Sequence, residues 1–408
     1  MSLRSYVITR ILLTIPMIML LLSIVFLVVR VLPGDPVLLH FEKHANPEDV
    51  ERLRHALGLD KPIWLQYIDY LGGIFRGNFG KSMQDFSPVA QQIFSAFPAT
   101  LELAIYSMIV AVTIGVLLGV AASRRYGSLV DHTIRGFGIV TYAIPVFFLG
   151  MIFQLVFGIG LGWFPTGGRI YPTLQPYGMT LHLRPAGLLS SALWGAIYAA
   201  CVVGPIYAVL KLRKKELRRK QVHYLGLIFV LVCVLSGYLV KHYSSQGTLR
   251  IRTGLYTIDS ILEGSPTKLV ETWRYLFLPS VTLGLVLCGI FIRLTRNNML
   301  ETLRLDFVTA ARARGLEENK VIWGYALRNA FLPVLTMMGL QFAALLGGAI
   351  LTETTFSWPG LGRYLVDRIS FRDYTAIQGA VVLFGLMVAL VSLIVDILYA
   401  YLDPRIRL

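Results

Sequence analysis

The chain has 408 residues, 55% of them hydrophobic and only 15% charged, with a mean hydropathy of +0.65. A soluble protein of this length needs far more charge to build a solvated surface, so a water-soluble domain is excluded. The net charge of +15 follows more simply from the preference of Lys and Arg for cytosolic membrane loops than from a nucleic-acid partner.

A bilayer core of about 30 Å takes about 20 helical residues to cross. The apolar blocks predict eight spans, at roughly 9–31, 98–122, 135–161, 188–210, 222–240, 276–294, 330–352 and 377–401. The first contains Pro16 and is long enough to cross. No small-residue cleavage site closes it before Arg30, so it reads as a retained span rather than a signal peptide. Residues 32–97 mix charge, aromatics and turn signals such as Pro33-Gly34-Asp35-Pro36, predicting an ordered extracytoplasmic cap. Residues 241–275 are less patterned. Cys201, Cys233 and Cys288 all fall inside apolar stretches and predict neither a disulfide framework nor a thiolate metal site.

The basic residues orient the spans. With a cytosolic N-terminus, the inside segments are 1–10, 123–135, 211–220, 293–328 and the C-terminal tail. Together they hold more than half of the Lys and Arg residues. Lys211 to Lys220 alone carries seven basic residues in ten. Eight spans place both termini in the cytosol.

The inside segment between the sixth and seventh spans is the most informative. It runs Asp306-Phe307-Val308-Thr309-Ala310-Ala311-Arg312-Ala313-Arg314-Gly315-Leu316-Glu317-Glu318. Ala310 and Ala311 are small enough for another surface to approach closely. Gly315 can end a helix in the left-handed conformation, and Glu317 and Glu318 complement the dipole of a second helix. Val321, Ile322, Tyr325 and Ala326 are expected on one apolar face of it, with Pro333 in the first turn of the next span. The prediction is a short helix–turn–helix displayed in the cytosol. The bland alternative is an amphipathic loop lying on the headgroups.

This segment resembles the EAA loop of ABC importer permeases, with Thr309-Ala310-Ala311, three residues, then Gly315; Thr309 replaces the acidic first position. The long interval from Gly315 to Pro333 resembles the dipeptide/oligopeptide branch, as do Ala311-Arg312-Ala313-Arg314-Gly315-Leu316 and Ala326-Leu327-Arg328-Asn329-Ala330-Phe331-Leu332-Pro333. Four further stretches are similar to that branch, in its order. They are Leu32-Pro33-Gly34-Asp35-Pro36, Leu161-Gly162-Trp163-Phe164-Pro165-Thr166-Gly167-Gly168, Glu353-Thr354-Thr355-Phe356-Ser357-Trp358-Pro359-Gly360-Leu361-Gly362, and Asp396-Ile397-Leu398-Tyr399 followed by Asp403-Pro404-Arg405. Departures are an additional hairpin between Gly168 and Trp273, Thr375 where proline is usual, and Ser392 where asparagine is usual.

The resemblance implies an all-α polytopic membrane protein with a type I ABC importer transmembrane domain and about eight transmembrane helices. Residues 1–31 would be an N-terminal transmembrane helix, 32–97 the cap, 96–400 the type I domain with an inserted hairpin at about 169–272, and 401–408 a cytosolic tail. It further implies a cell-membrane permease subunit forming half of the path for short peptides. Its partners would be a second homologous permease subunit, two ATPase subunits, an extracytoplasmic substrate-binding protein and membrane lipid, with no nucleic acid. Thr309, Ala310, Ala311, Arg312, Gly315 and Leu316 would form the ATPase-coupling loop. No catalytic or metal residue is expected, no cofactor is bound directly, and ATP and Mg belong to the partner subunits. Substrate-binding residues are unassigned, and nickel chelates, glutathione or other small solutes remain alternative cargoes.

Other signals carry less. Gly80-Lys81-Ser82 mimics the end of a phosphate-binding loop, but Phe75 occupies the required first glycine position, and a turn in the cap is the expectation. His40 and His44, separated by Phe41-Glu42-Lys43, lack the metalloprotease order and read as solvated cap surface. Asp35 either meets a substrate amine or, more commonly for such a residue, caps a turn. Glu102 and Arg30 fall near outer span ends and Asp396 near an inner one; Gln341 is the most polar central residue. A self-energised carrier, the less favoured class, usually needs a buried ionisable relay in its spans.

Overall fold

The computed structural model describes residues 3–31, 48, 51, 54–55, 60–169, 179–182, 248–251, 253–347 and 349–402. The predicted hairpin (188–210 and 222–240), its Lys211–Lys220 loop, Asp35, His40, His44, Cys201, Cys233 and the tail beyond Leu402 lie outside the described residues. The chain divides into two compact units: Met1–Thr173 with Val270–Leu408, and Leu174–Leu269.

The large unit is helical. In chain order it holds α1 (Leu3–Val31), α2 (Ile63–Phe75), α3 (Val89–Arg124), α4 (Leu129–Ala143) and α5 (Val146–Gly160). Its later helices, numbered after α6 of the small unit, are α7 (Pro266–Thr302), α8 (Asp306–Ala313), α9 (Glu318–Leu346), α10 (Ile350–Thr355), α11 (Leu361–Ser370) and α12 (Tyr374–Leu402). Five of these, α1, α3, α7, α9 and α12, are long and apolar enough to cross a bilayer.

The predicted span at 135–161 is two helices rather than one. α4 and α5 meet at an angle of 99°. Pro145 lacks an N–H and pushes Ile144 out of helical geometry, and Ile144 is extended at φ −73°, ψ 126°. Each half, 15 residues, reaches only about 22 Å. Together they still cross. Asp131 at the start of α4 is paired with Arg296 near the C-terminal end of α7, whereas Arg169, past α5, bonds Glu102. Glu102 lies roughly 33 Å along α3 from its Arg124 end. The pair is therefore one broken span, giving six crossings among the described residues.

The two ends of the unit are distinct. One gathers the α2 region, the 80–88 turn, the 161–169 loop and α10–α11. The other gathers Arg10 of α1 with Asp396 of α12 (3.4 Å), the α3–α4 turn and α8. Between them the core is built around Leu103, Met108, Leu276, Phe291, Val334 and Trp358. Gly115 lets α3 and α7 meet at Phe291, where any Cβ would collide with the ring's own Cβ. α1 lies along α12 with most of its apolar surface open, the disposition of a helix that faces lipid.

The predicted span at 330–352 is also shifted. α9 starts at Glu318, so the expected cytosolic second helix and the span are one continuous helix. Pro333 sits in its interior rather than its first turn. α9 stops at Leu346, and Ile350–Thr355 forms a separate short helix, α10.

The small unit contains the exception to the helical rule. β1 (Met179–His182) pairs antiparallel with β2 (Thr248–Ile251), His182 opposite Thr248. The ribbon joins the residues on either side of 183–247, so the insertion leaves and returns at one place. Downstream, α6 (Tyr256–Leu262) is fixed by Asp259, which accepts from Thr253 N (2.8 Å) and Gly254 N (3.0 Å). The stretch expected to be less patterned thus holds a strand, a helix and the start of α7.

Candidate functional site

The residues predicted to form the loop lie together at one end of the bundle. α8 ends in a turn where Gly315 adopts φ +73°, its N–H bonding Arg312 O (2.9 Å). No neighbouring atom lies within 4 Å of where a Cβ would stand, so glycine is required there for conformation and not for space. Arg312 then forks onto Glu318 at the start of α9, with Nε to Oε2 at 3.1 Å and Nη2 to Oε1 at 2.7 Å. Both side chains are about half exposed, so the fork orders the turn more than it stabilises the fold.

Beneath the turn lies a small apolar core. Val308 and Ala311 of α8 pack with Val321, Ile322, Ala326 and Ala330 of α9, Met299 of α7 and Val120 of α3. Two expectations change here. Ala311 is 5% exposed; its small size lets α8 lie against its own α9, while Thr309, Ala310 and Arg312 face outward. Tyr325 is off the apolar face, at 42% exposed, where Val321–Ala326 forms a wider π-turn that breaks the 3.6-residue period. Leu305, Phe307, Trp323 and Tyr325 are all at least 40% exposed, leaving large apolar side chains around the turn.

At the opposite end a second constellation is buried. Glu353 of α10 is fully buried, and both its oxygens accept hydrogen bonds: Thr100 Oγ1 donates at 2.6 Å and Arg363 N at 3.0 Å. Leu361 N donates to Thr100 Oγ1 (2.7 Å). A carboxylate and a hydroxyl thus satisfy the free N–H groups at the N-terminus of α11, whose dipole favours the negative charge. Gly360 is required by close approach, since a Cβ there would overlap the Glu353 carboxylate. Trp358 Nε1 donates to Ala99 O (2.8 Å), and Gly168 N to Phe356 O (2.9 Å). Gln154 bridges Thr166 O and Thr355 O at 2.6 and 2.9 Å. Arg169 Nη2 and Nε lie 2.6 and 3.1 Å from Glu102 Oε2, and the guanidinium sits 5.6 Å from the Trp358 ring centre. Nearby, burial pushes the Tyr364 phenol up to about 12, keeping it a donor to Gln92 Oε1 (2.7 Å).

Residues 111–408 match the model described as binding-protein-dependent transport system inner membrane component, and residues 3–104 match the N-terminal model of such membrane components. The chain belongs to this family. It is 34% identical over 404 residues to the di/tripeptide transport system permease protein DppB of Pseudomonas aeruginosa strain UCBPP-PA14, covering 99% of this chain and 98% of the relative. The same figures hold for the dipeptide transport system permease protein DppB of Escherichia coli K12. The glutathione transport system permease protein GsiC of Salmonella choleraesuis is 32% identical over 406 residues, 99% of each chain. This transport component is therefore a multi-pass membrane protein.

Two of the stretches singled out in the transport component, 161–168 and 353–362, converge on one cluster at the end opposite the loop. Gly80-Lys81-Ser82 is a turn: Ser82 Oγ donates to the buried Asp373 at 2.5 Å and Met83 N at 3.1 Å, docking the turn on the start of α12. The Glu102–Arg169 pair was not legible from the sequence. Glu102 was visible as a polar break in an apolar run, but its partner is 67 residues away.

Proposed function

We propose that the chain forms half of the translocation path of an ATP-driven importer of short peptides. It would pair with a second homologous permease subunit, two ATPase subunits and an extracytoplasmic substrate-binding protein. The concentration of basic residues at the loop end supports a cytosolic position for that end and for both termini. ATP and Mg would act on the ATPase subunits, not on this chain. Peptide cargo is the reading favoured by the names of the DppB relatives; glutathione transport by GsiC keeps a closely related cargo in view.

The observation that carries the coupling role is the construction of the loop. Its outward residues Thr309, Ala310 and Arg312, ringed by exposed Phe307, Trp323 and Tyr325, offer a docking face. Its inward residues Val308 and Ala311 bind it to α3, α7 and α9. A push on the face reaches three spans through one packed core. ATP and loaded binding protein would then bias a two-state equilibrium of those spans. The test is Ala310→Glu, which adds a bulky charge to the face without entering the core. ATPase co-purification and uptake should both fall, with membrane insertion unchanged. Normal co-purification and uptake would remove the loop assignment.

A further inference from the structure

The cavity between α4, α7 and α9 has a volume of about 600 Å³ and an unusual lining. Arg135 and Tyr142 reach it from α4, Arg293 and Arg296 from α7, and Gln341 from α9, over an otherwise mainly apolar wall. Its floor is close-packed: Gly289 of α7 approaches Gly138 of α4 so tightly that a Cβ would strike the Gly138 carbonyl.

The three guanidinium groups are not equivalent. Asp131 holds Arg296 through Nε (2.6 Å) and Nη2 (2.8 Å), and Arg135 lies 3.7 Å from the same carboxylate. Arg293 has no carboxylate within ion-pair distance among the described residues. One carboxylate thus faces three cations, leaving an excess of two positive charges on Arg135 and Arg293, and of these two only Arg293 has no carboxylate within ion-pair distance among the described residues. Gln341, the polar residue singled out in the sequence, lines the same cavity with a donor and an acceptor. A cavity of this size, apolar with a few convergent polar groups, has the make-up of a small-molecule site.

We propose that this cavity is a station on the cargo path in which Arg293 binds the carboxylate of the transported solute. The inference rests on the importer reading above. A planar guanidinium matches a carboxylate with two parallel hydrogen bonds, a fit that a lysine ammonium does not supply. Neutralisation of Arg296 by Asp131 leaves that side chain as a strut between α4 and α7 and frees Arg293 for the solute. Release would follow when movement of α9 separates Gln341 from Arg293, exposing the bound carboxylate to water.

The test uses the full assembly in proteoliposomes, with Cys201, Cys233 and Cys288 replaced and a single cysteine at Gln341→Cys. Its reaction rates with an anionic and a cationic methanethiosulfonate are compared. The anionic reagent should be favoured, and Arg293→Gln should lower the anionic-to-cationic rate ratio several-fold, as loss of one nearby charge requires. Arg293→Lys should keep most of the ratio, which separates charge from misfolding. A dipeptide with a free carboxylate, delivered by loaded binding protein, should slow the labelling, and Arg293→Gln should abolish that protection. Dipeptide delivered per ATP hydrolysed should fall about fivefold in the same variant. A ratio unmoved by Arg293→Gln, or a cysteine that only lipid-soluble reagents reach, overturns the proposal and assigns Arg293 to lipid phosphate. Intact charge selectivity with no dipeptide uptake by the unsubstituted assembly overturns the peptide reading alone.

Discussion

Replacing Glu102 with Leu should be among the most damaging single changes in the protein. Glu102 and Arg169 are 1% and 6% exposed, with hydrogen bonds of 2.6 and 3.1 Å between them. Removing the carboxylate takes away both hydrogen bonds it accepts from the buried Arg169 guanidinium, at a cost of about 3–5 kcal/mol. The contact with the Trp358 ring is present before and after the change, so it does not offset that loss. Arg169→Met removes the same two hydrogen bonds and should cost a similar amount. The double variant Glu102→Leu/Arg169→Met leaves no unpaired charge and should lie within about 1 kcal/mol of the original protein. Unfolding of the four proteins in micelles gives the double-mutant cycle. A stable Glu102→Leu, or a double variant as damaged as the sum of the two, would refute the reasoning.

At the loop, Gly315→Ala should cost about 1–2 kcal/mol of local stability from backbone strain alone, and Gly315→Asn distinctly less; exchange of the 311–318 amides reads this directly. Gly360→Ala should destabilise by about 1–3 kcal/mol by displacing the Glu353 carboxylate, seen as a lowered unfolding midpoint in micelles. For the hairpin outside the described residues, a cysteine at Glu216 in a cysteine-free background should resist an impermeant thiol reagent in intact cells and react once the membrane is opened; labelling from outside would place the Lys211–Lys220 loop on the wrong side.

The six crossings among the described residues were legible because each carries an apolar run that only a bilayer-spanning helix explains. What the sequence concealed depends on geometry across the fold. The 135–161 run is mainly apolar, and apolarity is indifferent to the bend that Pro145 imposes. Ala311 and Ala310 are identical side chains one residue apart; only the packing of α8 on α9 decides which is core and which is surface. Tyr325 followed the 3.6-residue period until the π-turn broke it. Glu353 looked like an isolated charge in a motif, and becomes intelligible once Thr100, Gly360 and the N-terminus of α11 are seen around it. The Gly315 turn was readable because the left-handed backbone is a local requirement, needing no distant partner.

Disulfide cross-linking from Ala310→Cys, in a cysteine-free background, tests the central claim most directly. The account predicts cross-links to an ATPase subunit carrying cysteines along its membrane-facing groove, with a yield that changes when ATP binds. It also predicts no such cross-link from a cysteine at Gly162, at the other end of the bundle. Failure of Ala310→Cys to cross-link in an assembly that still transports would contradict the account.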